Sequence, residues 1–554
     1  MQMKKYSMGI DYGTLSGRVL IVDIENGQEI ASSEYAYPHA VMDDQLPSGK
    51  KLDIDYALEH PADFIDVLKI AVPDAVKKSG IDASQIIGIG VDFTSCSVMP
   101  VKADNTPLCF LEKYKDEPHA YVKLWKHHAA QDEANKITAM AQKMGEKWLD
   151  IYGKKTSSEW LFAKLWQILD EAPEIYDDMD CFLEAGDWLT WFLTGNLKRS
   201  ACQAGYKAFW NKGLGGYPSK EFFKALDPRL ENVVEEKLKG EVVPLGTCVG
   251  GLTKQAAELM GLKEDTPVAV SVIDAHVCVP AVKIASPGKM LAIMGTSTCH
   301  MLLAEEEKPV PGVCGYVEDG ILPGFIGYEA GQACAGDHFA WFVENCVPES
   351  YRVEAKKQGV SIHVYLQQLA SKLSAGQSGL LALDWWNGNR SILVDADLTG
   401  LMLGMTLTTK PEEMYRALVE ATAFGTRMII ENFEKYGVRV DEFYASGGIA
   451  EKSPFAMQIY SDVIKKPIRI SGSTQSCALG SAIFGAVVGK AHPDIVTAAE
   501  KMGKLKDVVF YPDEKSSQVY DKLFAEYVTL QEYFFKQNDV MKKLKHIKQS
   551  ARNI

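Results

Sequence analysis

Apolar positions along the chain fall into two rhythms. Some form short runs closed by glycine-rich turns, and others recur every three or four residues. Tyr6–Asp11 and Val19–Asp23 are apolar runs flanking Gly13-Thr14-Leu15-Ser16-Gly17, which predicts a β-hairpin. Phe64, Leu68, Val72 and Val76 keep helical spacing across Pro61–Ser79, and Ile86–Asp92 reads as a buried strand ending in a carboxylate. Helical periodicity returns around 129–144 and 159–170. The hairpin pattern then recurs. Strand Val268–Val272 meets Asp274, and strand Met290–Met294 meets Gly295-Thr296-Ser297-Thr298 before the run Cys299–Leu303. Beyond it, helical stretches at 411–436, 453–464 and 476–489 alternate with short strands at 441–446 and 467–470, the α/β pattern. The last 40 or so residues repeat Val519, Leu523, Tyr527, Leu530 and Phe534 at helical spacing and end in lysines, predicting one amphipathic helix.

The two hairpin turns, Gly13-Thr14-x-Ser16 and Gly295-Thr296-x-Thr298, lie 282 positions apart, about half of the 554 residues. Either turn alone is ordinary, because Gly, Ser and Thr are turn residues. As a pair at half-chain spacing they predict a duplicated domain facing itself across a cleft. The length also exceeds what one hydrophobic core holds.

Composition narrows the partners. The net charge of −14 disfavours nucleic acid and anionic membrane surfaces. The longest uncharged stretch, Ile470–Gly489, has an apolar part, Ala478–Gly489, too short to span a bilayer. At the start, Asp11 interrupts any apolar signal core. Eleven scattered cysteines form no C-x-x-C pair and are odd in number, against a zinc site or a disulfide framework. A reducing cytoplasm fits this usage.

The first hairpin carries chemistry. Gly13 lets backbone approach a ligand, and the hydroxyls of Thr14 and Ser16 suit phosphate oxygens. Arg18 on the second strand is placed to pair with a phosphate. Asp11 would repel a bare phosphate but not one carrying Mg2+. The set reads as a grip on Mg-ATP. No G-x-x-x-x-G-K-[ST] and no G-x-G-x-x-G after a strand is present, so neither P-loop nor Rossmann sites are supported.

These residues resemble a known family. Asp11-Tyr12-Gly13-Thr14-Leu15-Ser16-Gly17-Arg18 looks like the first phosphate motif of the FGGY carbohydrate kinases, members of the actin–hexokinase–Hsp70 superfamily. Met294-Gly295-Thr296-Ser297 resembles the second phosphate motif, and Ala445-Ser446-Gly447-Gly448-Ile449 the adenosine motif. Ala478-Leu479-Gly480-Ser481-Ala482 resembles the helix closing that region. The resemblance implies two duplicated actin/hexokinase-like (ribonuclease H-like) α/β domains flanking a catalytic cleft, expected at 1–283 and 284–554. It implies ATP and Mg2+, a small-molecule sugar substrate, and a homodimer as a possible assembly.

Within the family, Asp92-Phe93-Thr94-Ser95-Cys96, Trp125-Lys126-His127-His128-Ala129, Ala204–Ala208, Tyr328–Gln332 and Asp384–Ser391 resemble the branch acting on L-ribulose. The resemblance makes Asp274 the general base. Its other reading is a helix N-cap. An aspartate of ordinary pKa near 4 suffices, because phosphoryl transfer has a loose transition state and the proton leaves late. By the same resemblance, Asp274, Lys207, Glu329, Cys96 (through its backbone) and Trp125 (stacking on the sugar, or core) are the expected sugar residues. Gly447, Gly448 and Gly336 join Gly295, Thr296 and Ser297 on the nucleotide side. Ser453 stands where the family commonly has Asn, keeping a hydrogen-bonding group but losing reach. The alternatives are a kinase for D-ribulose, ribitol or xylulose, an actin- or Hsp70-like ATPase, and a catalytically dead sugar sensor. The intact Asp11, Thr14, Thr296 and Asp274 argue against the last.

Overall fold

Tyr6–Tyr12 is buried at every position and lies inside a seven-stranded sheet. The computed structural model describes residues 4–552, so the first three residues of the predicted N-terminal start lie outside the described residues. From edge to edge that sheet runs Cys248–Gly251, Pro267–Ala269, Ile86–Phe93, Tyr6–Tyr12, Ser16–Asp23 and Glu29–Ala36. Val272–Ile273 also pairs with Ile86–Phe93. A second seven-stranded sheet runs Gly315–Glu318, Ile326–Gln332, Thr298–Ala304, Lys289–Met294, Glu442–Ser446, Ile468–Ser471 and Leu505–Phe510.

The two sheets repeat one plan. In each, a strand pairs antiparallel with its hairpin partner on one side and parallel with a later strand on the other. The duplication inferred from two turns thus extends to the strand pairing around them. The sheets are not independent of each other. Helix Ser476–Val488, from the second half of the chain, lies against the first sheet so closely that a Cβ on Gly9 would stand 1.8 Å from the Ala478 carbonyl oxygen. Only glycine permits that approach.

Three predicted elements differ in detail. The helix over 61–79 carries a π turn at Val67–Ala71, just ahead of Pro73, which cannot donate to the helical ladder. The strand over 268–272 breaks into Pro267–Ala269 and Val272–Ile273, because the Val270 N–H leaves the ladder to donate to the Thr247 carbonyl. The C-terminal helix is two, Glu514–Glu532 and Val540–Arg552, divided at Asn538, whose side chain accepts from the Val540 N–H. Among the described residues, no helix is long and apolar enough to cross a membrane. All eleven cysteines are free.

Candidate active site

Ligands in parallel α/β sheets gather at the carboxyl ends of strands, where loops and helix N-termini converge. Asp11 lies one residue from the end of Tyr6–Tyr12, Asp92 one from the end of Ile86–Phe93, and Asp274 immediately follows Ile273. Parallel register places Asp11 beside Asp92, and Asp92 beside Val272. Tyr12 stacks on Phe93 at 5.0 Å between ring centroids, which fixes the two strand ends together. Burial, and then the negative charge of Asp11, pushes the Asp274 carboxyl up to about 7. The ordinary value expected from sequence is therefore corrected. Nor is Asp274 a helix cap: it is the first residue of helix Asp274–Ala281, Ile273 is the cap, and Asp274 Oδ1 accepts from the Ala275 N–H at 2.6 Å.

Opposite charges meet beside it. Lys207, at the end of helix Ala201–Lys207, lies 3.1 Å from Glu329 in strand Ile326–Gln332, and both are buried. Burial alone would raise the Glu329 pKa, but Lys207, with His276, holds it well below the carboxylate range. Burial alone would likewise lower Lys207, but Glu329 carries it above the usual ammonium value. His276 Nε2 stands 3.4 Å from Glu329 on the first turn after Asp274. Cys96 is in the left-handed region (φ 61°), and its carbonyl accepts from Lys164 Nζ at 2.7 Å. The backbone contact expected there is thus already engaged, and burial pushes the Cys96 thiol up to about 12. Trp125 is half-buried, and its indole N–H donates to Thr14 Oγ1 at 3.2 Å, joining this region to the first hairpin.

In each hairpin turn the glycine N–H closes the turn, over three residues in the first and two in the second. The Gly13 N–H donates to the Ser16 carbonyl at 3.1 Å, and the Gly295 N–H to the Ser297 carbonyl at 2.9 Å. Side chains around the first are engaged within the protein. Ser16 Oγ donates to Glu34 at 2.7 Å, and Arg18 lies 3.4 Å from both Asp11 and Glu34. Gly295 and Thr296 are exposed and Ser297 half-buried. The Gly336 N–H donates to the Gly295 carbonyl at 3.0 Å, and the Ala335 N–H to the Thr296 carbonyl at 2.8 Å. Gly447, at φ +90°, tucks against the same strand, where a Cβ would stand 2.7 Å from the Met294 carbonyl oxygen. A cavity of 320 Å³ opens next to it, lined by Gly336, Phe339, Tyr415, Gly448, Ile449 and Ser453. Gly336, Gly448 and Ser453, predicted on the nucleotide side, thus share one apolar slot. Ser453 Oγ accepts from the Ala456 N–H at 3.1 Å, capping helix Pro454–Ile464.

Mg2+ takes oxygen ligands, and the carboxylates at these strand ends fit it. Asp92 Oδ1 is buried without a partner, beside Asp11 in the parallel register, while Asp92 Oδ2 accepts from Ser481 Oγ at 2.6 Å. His276 was not singled out from sequence, and Asp92 was read only as a strand-ending carboxylate in the segment 92–96, with no metal role. The signal for Asp92 was present, since it closes an apolar strand as Asp11 does.

Comparison with known proteins agrees with this geometry. Residues 6–279 match the FGGY family of carbohydrate kinases, N-terminal domain, and residues 290–488 match its C-terminal domain. The chain belongs to the FGGY family of carbohydrate kinases. It is 55% identical to a ribulokinase of Anoxybacillus flavithermus, over 100% of this chain and 98% of that protein. It is 56% identical to a ribulokinase of Bacillus licheniformis, over 96% and 98%. Among solved structures, the fold is similar to a xylulose kinase from Rhodospirillum rubrum, with TM-score 0.79, 20% identity, and coverage of 96% of this chain and 99% of that one.

Proposed function

We propose that this kinase transfers the γ-phosphoryl group of ATP to L-ribulose, giving L-ribulose 5-phosphate and ADP. The observation carrying the reading is the half-buried Asp274 carboxylate next to the buried Lys207–Glu329 pair at the carboxyl ends of the strands. Lys207 donates and Glu329 accepts at sugar hydroxyls, so a polyol is held by charge-assisted hydrogen bonds in a fixed orientation. Asp274 accepts the proton of the attacking hydroxyl. A carboxylate with a pKa of about 7 is about a thousandfold more basic than an ordinary aspartate. It is still too weak to ionise an alcohol beforehand, so its work is to align the oxygen and take the proton as the bond forms.

On the nucleotide side, the half-buried turn at Gly13 and Thr14 and the exposed turn at Gly295 and Thr296 receive the phosphates, and the slot at Gly336, Gly448 and Ser453 receives adenosine. Asp11 and Asp92 would hold Mg2+, which when bound neutralises charge on the phosphate oxygens. Ser16 and Arg18 act by fixing the hairpin, through Glu34 and Asp11, until nucleotide arrives. Domains dividing at 283/284 are supported by the two sheets, whose strands come from residues 6–273 and 289–510. A reducing, cytoplasmic setting is supported by the free cysteines.

The test is ADP release with Mg-ATP against L-ribulose, D-ribulose, D-xylulose, ribitol and glycerol. L-ribulose should give the highest kcat/KM. A faster D-ribulose or ribitol would move the chain to another branch of the family, and no sugar-stimulated ADP would refute the kinase reading.

A further inference from the structure

We propose, resting on the phosphoryl transfer proposed above, that Arg390 is a further catalytic residue, whose guanidinium binds the phosphoryl group as it passes from ATP to the sugar. Every other arginine from Arg18 to Arg469 makes an ion pair or a hydrogen bond within the protein. Arg390, in the segment Asp384–Ser391, makes neither among the described residues, although it is half-buried. Burial alone would lower its pKa, but the groups around it, Glu159 foremost, carry it above the usual guanidinium value. Charges withdrawn from water are normally paired, so this guanidinium is set to receive an anionic ligand.

The strand pairing places that guanidinium. A Cβ on Gly331 would stand 3.3 Å from Arg390 Cδ and 3.6 Å from its Nη1, so the arginine lies over the side-chain face of Gly331. Gly331 is two residues from Glu329 in strand Ile326–Gln332, and residues two apart share a face of the sheet, about 7 Å from each other. Arg390 therefore lies on the face from which Glu329 meets Lys207 and His276, one pleat further along. That step leads toward the phosphates. Gly331 pairs with Cys299, and Gln332 with Thr298, the last residue of the turn Gly295-Thr296-Ser297-Thr298. The cation thus stands between the sugar pair and the second phosphate turn, on the path of the transferred group. The missing side chain of Gly331 leaves the room it occupies.

The loop carrying Arg390 is tied down on several sides. Asn389 and Asp395 exchange two backbone hydrogen bonds of 2.9 Å, and Asn389 Oδ1 accepts from the Leu393 N–H at 3.0 Å. Ser391 Oγ accepts from the Gly331 N–H at 3.1 Å. Lys155, from the first half of the chain, donates to the Val394 carbonyl at 2.9 Å, so the loop touches both halves. A donor fixed before the reaction needs no reorganisation as charge develops. In the transfer, the bond from the γ-phosphorus to the ADP oxygen breaks while the bond to the sugar oxygen forms, and the hydroxyl proton passes to Asp274. Arg390 exchanges no proton. Its planar fork donates to two phosphoryl oxygens at once, which a lysine cannot match.

The test is the steady-state kinetics of full-length Arg390→Gln and Arg390→Lys with Mg-ATP and L-ribulose, with calorimetric binding of L-ribulose and of L-ribulose 5-phosphate to each. Arg390→Gln should lose about 10³-fold in kcat, while KM for ATP and for L-ribulose each change less than about threefold. Arg390→Lys, which keeps the charge but not the fork, should lose about 10-fold or more in kcat. Both variants should bind L-ribulose as the wild type does and L-ribulose 5-phosphate about 10-fold more weakly. Circular dichroism and the thermal midpoint establish that each is folded, and Arg390→Lys decides the matter if Arg390→Gln is not. A kcat within about threefold of wild type in the folded variants overturns the proposal. So does a loss carried by KM for L-ribulose or ATP with kcat intact. Failure of the underlying kinase reading looks different, because the wild type itself would then release no ADP in response to sugar, which overturns both.

Discussion

Replacing Asp274 with asparagine should cost catalysis and gain stability, and the gain should depend on pH. Asp274 titrates near 7 in the folded chain, against 3.8 for an ordinary aspartate. Between those values the folded state binds a proton that the unfolded state has lost. Stability therefore falls as pH rises from about 4 to about 7 and stays reduced above that. Asp274 keeps some solvent exposure, so ionising it costs less than the roughly 4 kcal/mol that 1.36 kcal/mol per unit would give for a fully dry site. Asparagine is nearly isosteric and never ionises. Asp274→Asn should then match the wild type near pH 4 and exceed it at pH 8, in protein free of ligand and Mg2+. Guanidinium and thermal unfolding at pH 5 and pH 8 measure the difference. The same variant should lose about 10²–10⁴-fold in kcat, the usual worth of a positioned general base. A stability difference independent of pH would refute the burial argument, and an active variant would refute the assignment of Asp274.

The pair Lys207–Glu329 should behave as a unit. Lys207→Met leaves a buried carboxylate uncompensated, so stability should fall by about 3–5 kcal/mol and sugar kcat/KM by about 10-fold or more. Adding Glu329→Gln should restore the thermal midpoint but not activity, and a midpoint left at the single-variant value would count against the pairing. Ser453→Ala should cost about 1 kcal/mol through the lost helix cap while KM for ATP changes less than about twofold. A large KM effect would mean that the hydroxyl serves adenine instead. Gly9→Ala should abolish soluble expression or lower the thermal midpoint sharply, because its Cβ would overlap the Ala478 carbonyl oxygen. A neutral result would mean that helix Ser476–Val488 sits off the sheet.

Much of the site could be read from local sequence. Asp11, Asp92 and Asp274 each close an apolar run, and the Gly-Thr turns at 13 and 295 mark where two such runs fold back. Those signals survive in one dimension because hydrophobic period and turn chemistry act over a few residues. The interruption at Asn538 was harder to see, since the apolar spacing runs through it and only the backbone at one residue ends the helix.

The chain by itself determined the duplicated α/β plan, the two hairpins and the carboxylate that follows Ile273. Tertiary structure alone decided what those groups are chemically. Lys207 and Glu329 lie 122 positions apart, and only the meeting of a helix end with a strand makes them a buried ion pair. Ser16 and Ser453 carry the hydroxyls that the sequence offered to ATP, but folding directs them to Glu34 and to a helix N-terminus. Asp274 has a base's pKa only because folding withdraws it in part from water and brings Asp11 close. Desolvation and Coulomb energy depend on distances through space, which no spacing along the chain specifies.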